Sequence, residues 1–178
     1  MENKCEKIEL KGDSLVKKLY IKQKVFSLGG HFSVKDENQE DQYMIEGSFL
    51  SIPKVFTIKD LNDQVIGTIT KKIFSFLPKF FIAVDGKEEM VIEKQLTFFK
   101  AKYRIESEQL EIQGDWWDKH FEILRNGERI AAVNEKWFTW GDTFEVEIYE
   151  QALEHAIILV VIAIDFVKQE EAASSSSS

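Results

Sequence analysis

The sequence predicts a mainly β fold: a twelve-stranded antiparallel closed barrel enclosing a hydrophobic C-terminal α-helix. Three observations lead to it. Short runs of alternating apolar and polar residues recur along most of the chain, the pattern of strands with one buried face. Turn-forming pairs stand between those runs. Residues 156–164 (AIILVVIAI) are apolar without a break, which a half-exposed strand would not be.

The strands follow in order. Residues 19–26 (LYIKQKVF) make the first clear run, and 31–34 and 43–46 follow across polar, turn-prone sequence. Next come 54–59 (KVFTIK), 65–70 (VIGTIT), 79–84 (KFFIAV) and 89–93 (EMVIE). The later runs are 101–106 (AKYRIE), 109–113 (QLEIQ), 120–124 (HFEIL), 129–134 (RIAAVN) and 143–149 (TFEVEIY). Asn126-Gly127 lies between two of them and supplies the positive φ angles of a two-residue hairpin turn. Gly29-Gly30, Asn62-Asp63 and Asp85-Gly86 mark further turns. Pro53 and Pro78 fall between runs, where a missing N–H breaks no ladder.

Residues 149–167 contain neither Gly nor Pro and outrun a strand, so a helix over about 150–168 is expected. Glu150 and Glu154 suit its start and Lys168 its end, as the helix dipole favours. The apolar block is far shorter than the roughly 20 residues that cross a bilayer. A helix apolar on every side is enclosed on every side. Twelve strands about 4.8 Å apart and tilted roughly 40° close at a radius of about 12 Å. Their side chains leave a lumen about 14 Å wide, on the scale of a helix about 10–12 Å across. The helix is therefore expected to thread the barrel.

The chain also repeats itself. Phe56, Thr57 and Ile58 align with Phe121, Glu122 and Ile123 at an offset of 65. Beyond the following turns the offset is 64, and Ile66, Lys72, Phe74 and Phe76 align with Ile130, Lys136, Phe138 and Trp140. Phe80, Ile82 and Val84 then align with Phe144, Val146 and Ile148. Two pseudo-symmetric half-barrels are expected.

The 178 residues suit one domain, with residues 1–13 as an N-terminal arm, 14–168 as the barrel and 169–178 as a disordered Ser-rich tail. The arm has no apolar segment of the kind a signal peptide needs. The single Cys5 excludes an intrachain disulfide framework and suits a reducing compartment, so a cytoplasmic location is expected; the chain is also expected to be a monomer. A net charge of −8 argues against broad binding to nucleic acid or anionic membrane, while leaving room for a local basic patch.

Residues 54–86 (KVFTIKDLNDQVIGTITKKIFSFLPKFFIAVDG) run strand, turn, Gly67, strand, Lys71-Lys72, aromatics, strand. With twelve strands and a C-terminal apolar helix, this pattern resembles the LURP-one-related (YxjI-like) proteins of the tubby C-terminal-like superfamily, which also includes phospholipid scramblases. The resemblance covers residues 14–168 and implies a twelve-stranded barrel around a central helix. Tubby domains bind phosphoinositide head groups through basic residues between two strands. The resemblance therefore implies Lys71, Lys72 and Lys79 as a candidate lipid or anion site.

No enzymatic chemistry stands out. His31, His120 and His155 lack the spacing of a zinc pair, and no glycine-rich phosphate loop or G-x-S-x-G elbow is present. Carboxylates such as Glu106 and Glu108, or Glu145 and Glu147, alternate along strands and so belong to a solvated face. No metal or cofactor is expected. Trp116, Trp117, Trp137 and Trp140 form a candidate aromatic surface for a partner or lipid. The expected function is a non-enzymatic intracellular binding or scaffold domain with a protein partner. The alternative is phospholipid or phosphoinositide head-group binding at a basic and aromatic barrel rim, without nucleic-acid binding or transmembrane insertion.

Overall fold

A computed structural model describes residues 16–22, 31–48, 52–72, 77, 79–95, 102–107, 110–115, 120–138 and 141–176. Twelve strands are present: β1 (Lys17–Lys22), β2 (His31–Lys35), β3 (Asp41–Gly47), β4 (Val55–Asp60), β5 (Val65–Lys71), β6 (Lys79–Val84), β7 (Lys87–Gln95), β8 (Lys102–Ser107), β9 (Leu110–Asp115), β10 (His120–Arg125), β11 (Glu128–Phe138) and β12 (Gly141–Ile148). Each expected run coincides with one of them. The first strand starts two residues earlier than expected, and residues 23–26 of that run lie outside the described residues.

The strands form one antiparallel sheet, from β8 down to β1 and then from β12 down to β9. Pairing of β1 with β12, Lys17 opposite Ile148, closes the wall between the two ends of the domain. Among the described residues no ladder joins β8 to β9, so the barrel is nearly closed, with a seam there. At that seam the amide of Leu110 donates to Ser107 Oγ at 3.0 Å.

Period-two alternation builds the core. Leu19 and Ile21 of β1, Phe56 and Ile58 of β4, Phe80 and Ile82 of β6, and Phe144 and Val146 of β12 are buried. Into this interior runs α1 (Glu154–Ser175). Residues 156–167 are buried without exception. Phe166 packs edge-on against Phe56 and Phe80, with ring centroids 4.6 and 5.2 Å away. Gly67 permits the closest approach: a Cβ there would meet both Leu159 and the carbonyl oxygen of Ala83. Among the described residues no helix is long and apolar enough to cross a membrane.

Both ends of the helix differ from expectation. Glu150 is extended, and the amides of Tyr149 and Glu150 donate to the Ile130 carbonyl at 2.8 and 3.4 Å, which ties them to the sheet. A 3-10 turn (Gln151–Leu153) follows, and α1 begins only at Glu154. At the other end the helix runs seven residues past Lys168, into the stretch expected to be disordered. There the hydroxyls of Ser174 and Ser175 donate to carbonyls three residues back, at 2.8 and 3.0 Å, prolonging helical pairing.

The turns follow their residue types. Asp85 and Gly86 have φ of 48° and 81°, and Asn126 and Gly127 have 52° and 80°. Asp63 is also at positive φ, 65°. These are the angles of hairpin turns that match the twist of their strands. Pro53 stands between β3 and β4, while Gly29-Gly30 and Pro78 lie outside the described residues.

The stretches paired at offsets of 65 and 64 are β4–β6 and β10–β12. Ile58 faces Gly67 and Gly67 faces Val84; Ile123 faces Ala131 and Ala131 faces Ile148. The register shifts just after Ile58 in one stretch and just after Ile123 in the other. The amide of Asp85 donates to the Ile66 carbonyl, as that of Tyr149 does to Ile130.

Candidate functional site

Strand parity decides where the candidate lysines go. In β5, Gly67 and Ile69 face inward, so Lys71 takes the same inward register at the end of the strand. Lys54, just before β4, holds the matching position beside Phe56 and Ile58, and its carbonyl accepts from the Lys71 amide at 3.2 Å. Both lysines reach the helix as it leaves the barrel. Lys54 Nζ donates to Glu170 Oε1 at 2.8 Å, and Lys71 Nζ donates to Oε2 of the same carboxylate. Burial pushes the Glu170 carboxyl up, but the hydrogen bonds from Lys54 and Lys71 outweigh it and hold the group below its ordinary value.

Lys72, one residue on, faces the outer wall. Its amide donates to the Lys79 carbonyl at 2.8 Å, which brings the two side chains together. Their ammonium groups lie 5.9 and 5.8 Å from the Phe81 ring centroid, so one aromatic ring serves two cations. Lys79 also lies 3.5 Å from Glu93. The three candidate lysines thus share one rim but divide between two faces. Lys54 and Glu170 belong with them, and neither stood out in the sequence. The signal for Lys54 was parity, since it and Lys71 both flank alternating buried residues.

The opposite rim is acidic. Asp60 closes the β4–β5 turn, accepting from the amides of Asn62 and Gln64 at 2.9 and 2.8 Å. The Gln64 amide bond is the main reason its carboxyl is held low. Asp85, in the β6–β7 turn, lies 3.1 Å from Nδ1 of His155, so His155 is a satisfied rim histidine. Beside it, buried Glu154 accepts from Lys17 Nζ at 2.6 Å and Tyr43 Oη at 2.5 Å. Burial, and then the hydrogen bond to Glu154, push the Tyr43 hydroxyl far up. The helix therefore starts among carboxylates, the charge its backbone dipole favours there, and passes between two lysines at Glu170, five residues before its end at Ser175.

The outer wall carries paired charges. Glu147 meets Lys18 at 3.1 Å and Tyr149 Oη at 3.0 Å, and Glu145 meets Lys136 at 3.3 Å. Solvent-facing carboxylates in ion pairs match the alternation seen in the sequence. One hollow of about 420 Å³ lies between Tyr20, Phe32 and Thr143, and another of about 440 Å³ lies around Ala132 and Tyr149. Neither includes the candidate lysines. Among the described residues no cluster of His, Cys, Asp and Glu is arranged to hold a metal ion. Trp116, Trp117 and Trp140 lie outside the described residues, and of Trp137 only its place in β11 is described.

Three comparisons bear on this arrangement. A family model described as LURP-one-related matches residues 17–165. The uncharacterized protein YxjI of Bacillus subtilis (strain 168) is 34% identical over 148 residues, covering 82% of this chain and 89% of that one. The X-ray structure of a protein from Arabidopsis thaliana superposes with a TM-score of 0.55 at 11% identity, covering 85% of this chain and 93% of that one. That last likeness is one of fold alone.

Proposed function

The chain belongs to the LURP-one-related family, and from that premise we propose that it is a non-enzymatic binding or scaffold domain, monomeric and cytoplasmic, that meets its partner on its outer wall and rims. The observation that carries this reading is the filled interior, where the buried residues 156–167 of α1 occupy the space a barrel ligand would need. Native mass spectrometry of the purified chain tests it. The expected mass is that of the polypeptide alone. A stoichiometric acyl chain or other apolar molecule retained through purification would overturn it.

A second reading, phospholipid head-group binding, is favoured by the basic rim. Lys72 and Lys79 flank the Phe81 ring, a pairing of cations and aromatic surface suited to a lipid interface. The repeated half supports a local specialisation, because Glu135 stands at the position of Lys71. The shared register of β4–β6 and β10–β12 supports reading the barrel as a duplicated unit. Co-sedimentation with phosphatidylcholine vesicles containing an anionic phospholipid, at physiological salt, tests this reading. Binding lost in Lys72→Glu/Lys79→Glu supports it, and no binding by the unaltered chain to any anionic vesicle sinks it.

A further inference from the structure

The last turns of α1 leave the barrel at the basic rim and place Glu170 between two lysines from neighbouring strands. Each ammonium takes a different oxygen, Lys54 on Oε1 and Lys71 on Oε2. The spacing of the two lysines is set by the sheet, since the Lys71 amide is bonded to the Lys54 carbonyl. The Glu170 side chain is 19% exposed, against 42% for Lys54 and 34% for Lys71, so the carboxylate lies beneath cations that still reach solvent. Two ammonium groups on one carboxylate leave the triad with an unbalanced positive charge. Lys72 adds to that charge on the neighbouring face, where Lys79 lies 3.5 Å from Glu93.

We propose that Glu170 is an internal plug: it fills an anion subsite of Lys54 and Lys71 that takes a phosphate monoester when the last turns of α1 move aside. The proposal rests on the head-group reading above and supplies its regulation. A phosphate monoester offers a pair of oxygens spaced much like those of a carboxylate, with about −1.5 to −2 of charge in place of −1. It would therefore accept the same two charge-assisted hydrogen bonds more strongly. Moving the plug leaves the core intact, because the continuous burial of α1 ends at Val167 and residues 168–171 are only half-buried. Residues 172–176 are exposed. The tethered carboxylate competes at a high effective concentration, so free phosphate meets an occupied site in the unaltered chain.

The test uses the full chain, Glu170→Gln, and Glu170→Gln combined with Lys54→Ala/Lys71→Ala, each first checked for a cooperative melt. The probes are inorganic phosphate and phosphatidylcholine vesicles carrying either a phosphatidylinositol monophosphate or phosphatidylserine. Glu170→Gln is expected to bind phosphate about tenfold more tightly than the unaltered chain, as loss of a tethered competitor implies. The triple variant is expected to lose that gain. In the unaltered chain, excess phosphate is expected to speed amide exchange in residues 168–175 while 156–167 stay protected. Equal phosphate binding by Glu170→Gln and the unaltered chain would overturn the plug and leave Glu170 a structural anchor. Vesicle binding that needs Lys72 and Lys79 but ignores Glu170→Gln would keep the head-group reading and discard the plug. A gain in free phosphate binding with no vesicle binding by any form would do the reverse.

Discussion

Gly67→Ala is the sharpest probe of how the helix sits in the barrel. Gly67 faces Ile58 on one side and Val84 on the other, with its α-carbon toward α1. An added methyl would stand 2.5 Å from the Ala83 carbonyl oxygen and nearer still to Leu159 Cδ1. The first is backbone in a central strand, and the second belongs to a side chain with no exposure, so neither yields freely. In an unobstructed strand, alanine would be favoured over glycine by about 0.5–1 kcal/mol. Overpacking a core costs about 1–3 kcal/mol, and this contact belongs at the upper end of that range. The net expectation is a loss of about 1–2 kcal/mol, or a fall in Tm of roughly 2–8 °C for a domain of this size. Urea unfolding of Gly67→Ala, Leu159→Ala and the double variant measures it. Leu159→Ala alone should cost about 2–5 kcal/mol. The double variant should cost less than the sum, because part of the clash leaves with Leu159. A neutral or stabilising Gly67→Ala, with additive behaviour in the cycle, would refute the close approach of α1 to β5.

Other outcomes follow from the same packing. A chain ending before Gln151 should be insoluble, since it lacks the helix that fills the barrel; a soluble truncation with a cooperative melt would contradict the threaded helix. Ile158→Asp should cost several kcal/mol of a total stability of about 5–15 kcal/mol, or prevent folding, as judged by circular dichroism and urea unfolding, because a carboxyl among fully buried residues has no partner even when it takes up a proton. Tyr43→Phe should cost about 1–3 kcal/mol in urea, as it removes a donor from a buried carboxylate. Glu170, with a carboxyl held below its ordinary value, contributes stability that is whole above that value and is lost as pH falls through the lower, folded one. Asp41 and Glu147 act in the same sense, each lowered first by a lysine hydrogen bond. Urea midpoints should therefore fall on acidification into that range, and Glu170→Gln should flatten the fall.

What could be read in advance was what local pattern controls. Alternation located all twelve strands because each buries one face, and Asp85-Gly86 and Asn126-Gly127 located hairpins because few residue pairs accept two positive φ angles. The helix was legible because residues 156–164 are apolar on every side. Its limits were not. Glu150 is a fair helix former, but hydrogen bonds to Ile130 hold it to the sheet, a partner twenty residues away. Ala172 and Ala173 favour helix, yet their place beside a run of serines suggested disorder. The candidate lysines were legible as a basic segment, but not as two faces, and Lys17–Glu154 and Lys54–Glu170 join residues more than a hundred positions apart. Net charge is silent on such placement, because −8 is a sum over the chain and leaves room for a basic cluster such as Lys54, Lys71, Lys72 and Lys79.

The helix that fills this barrel is synthesised only after all twelve strands that surround it. While the ribosome is still adding residues 154–167, the strands already made have inward faces and no interior to turn them toward. The pairing of β1 with β12 that shuts the wall likewise waits for Ile148 to emerge. Uncovered apolar surface thus accumulates strand by strand until the helix follows β12, and native burial arrives in a late, concerted step. Slow elongation or a premature stop between the codons for residues 149 and 167 should therefore yield aggregates or chaperone-bound chains, and the domain cannot begin its working life in halves.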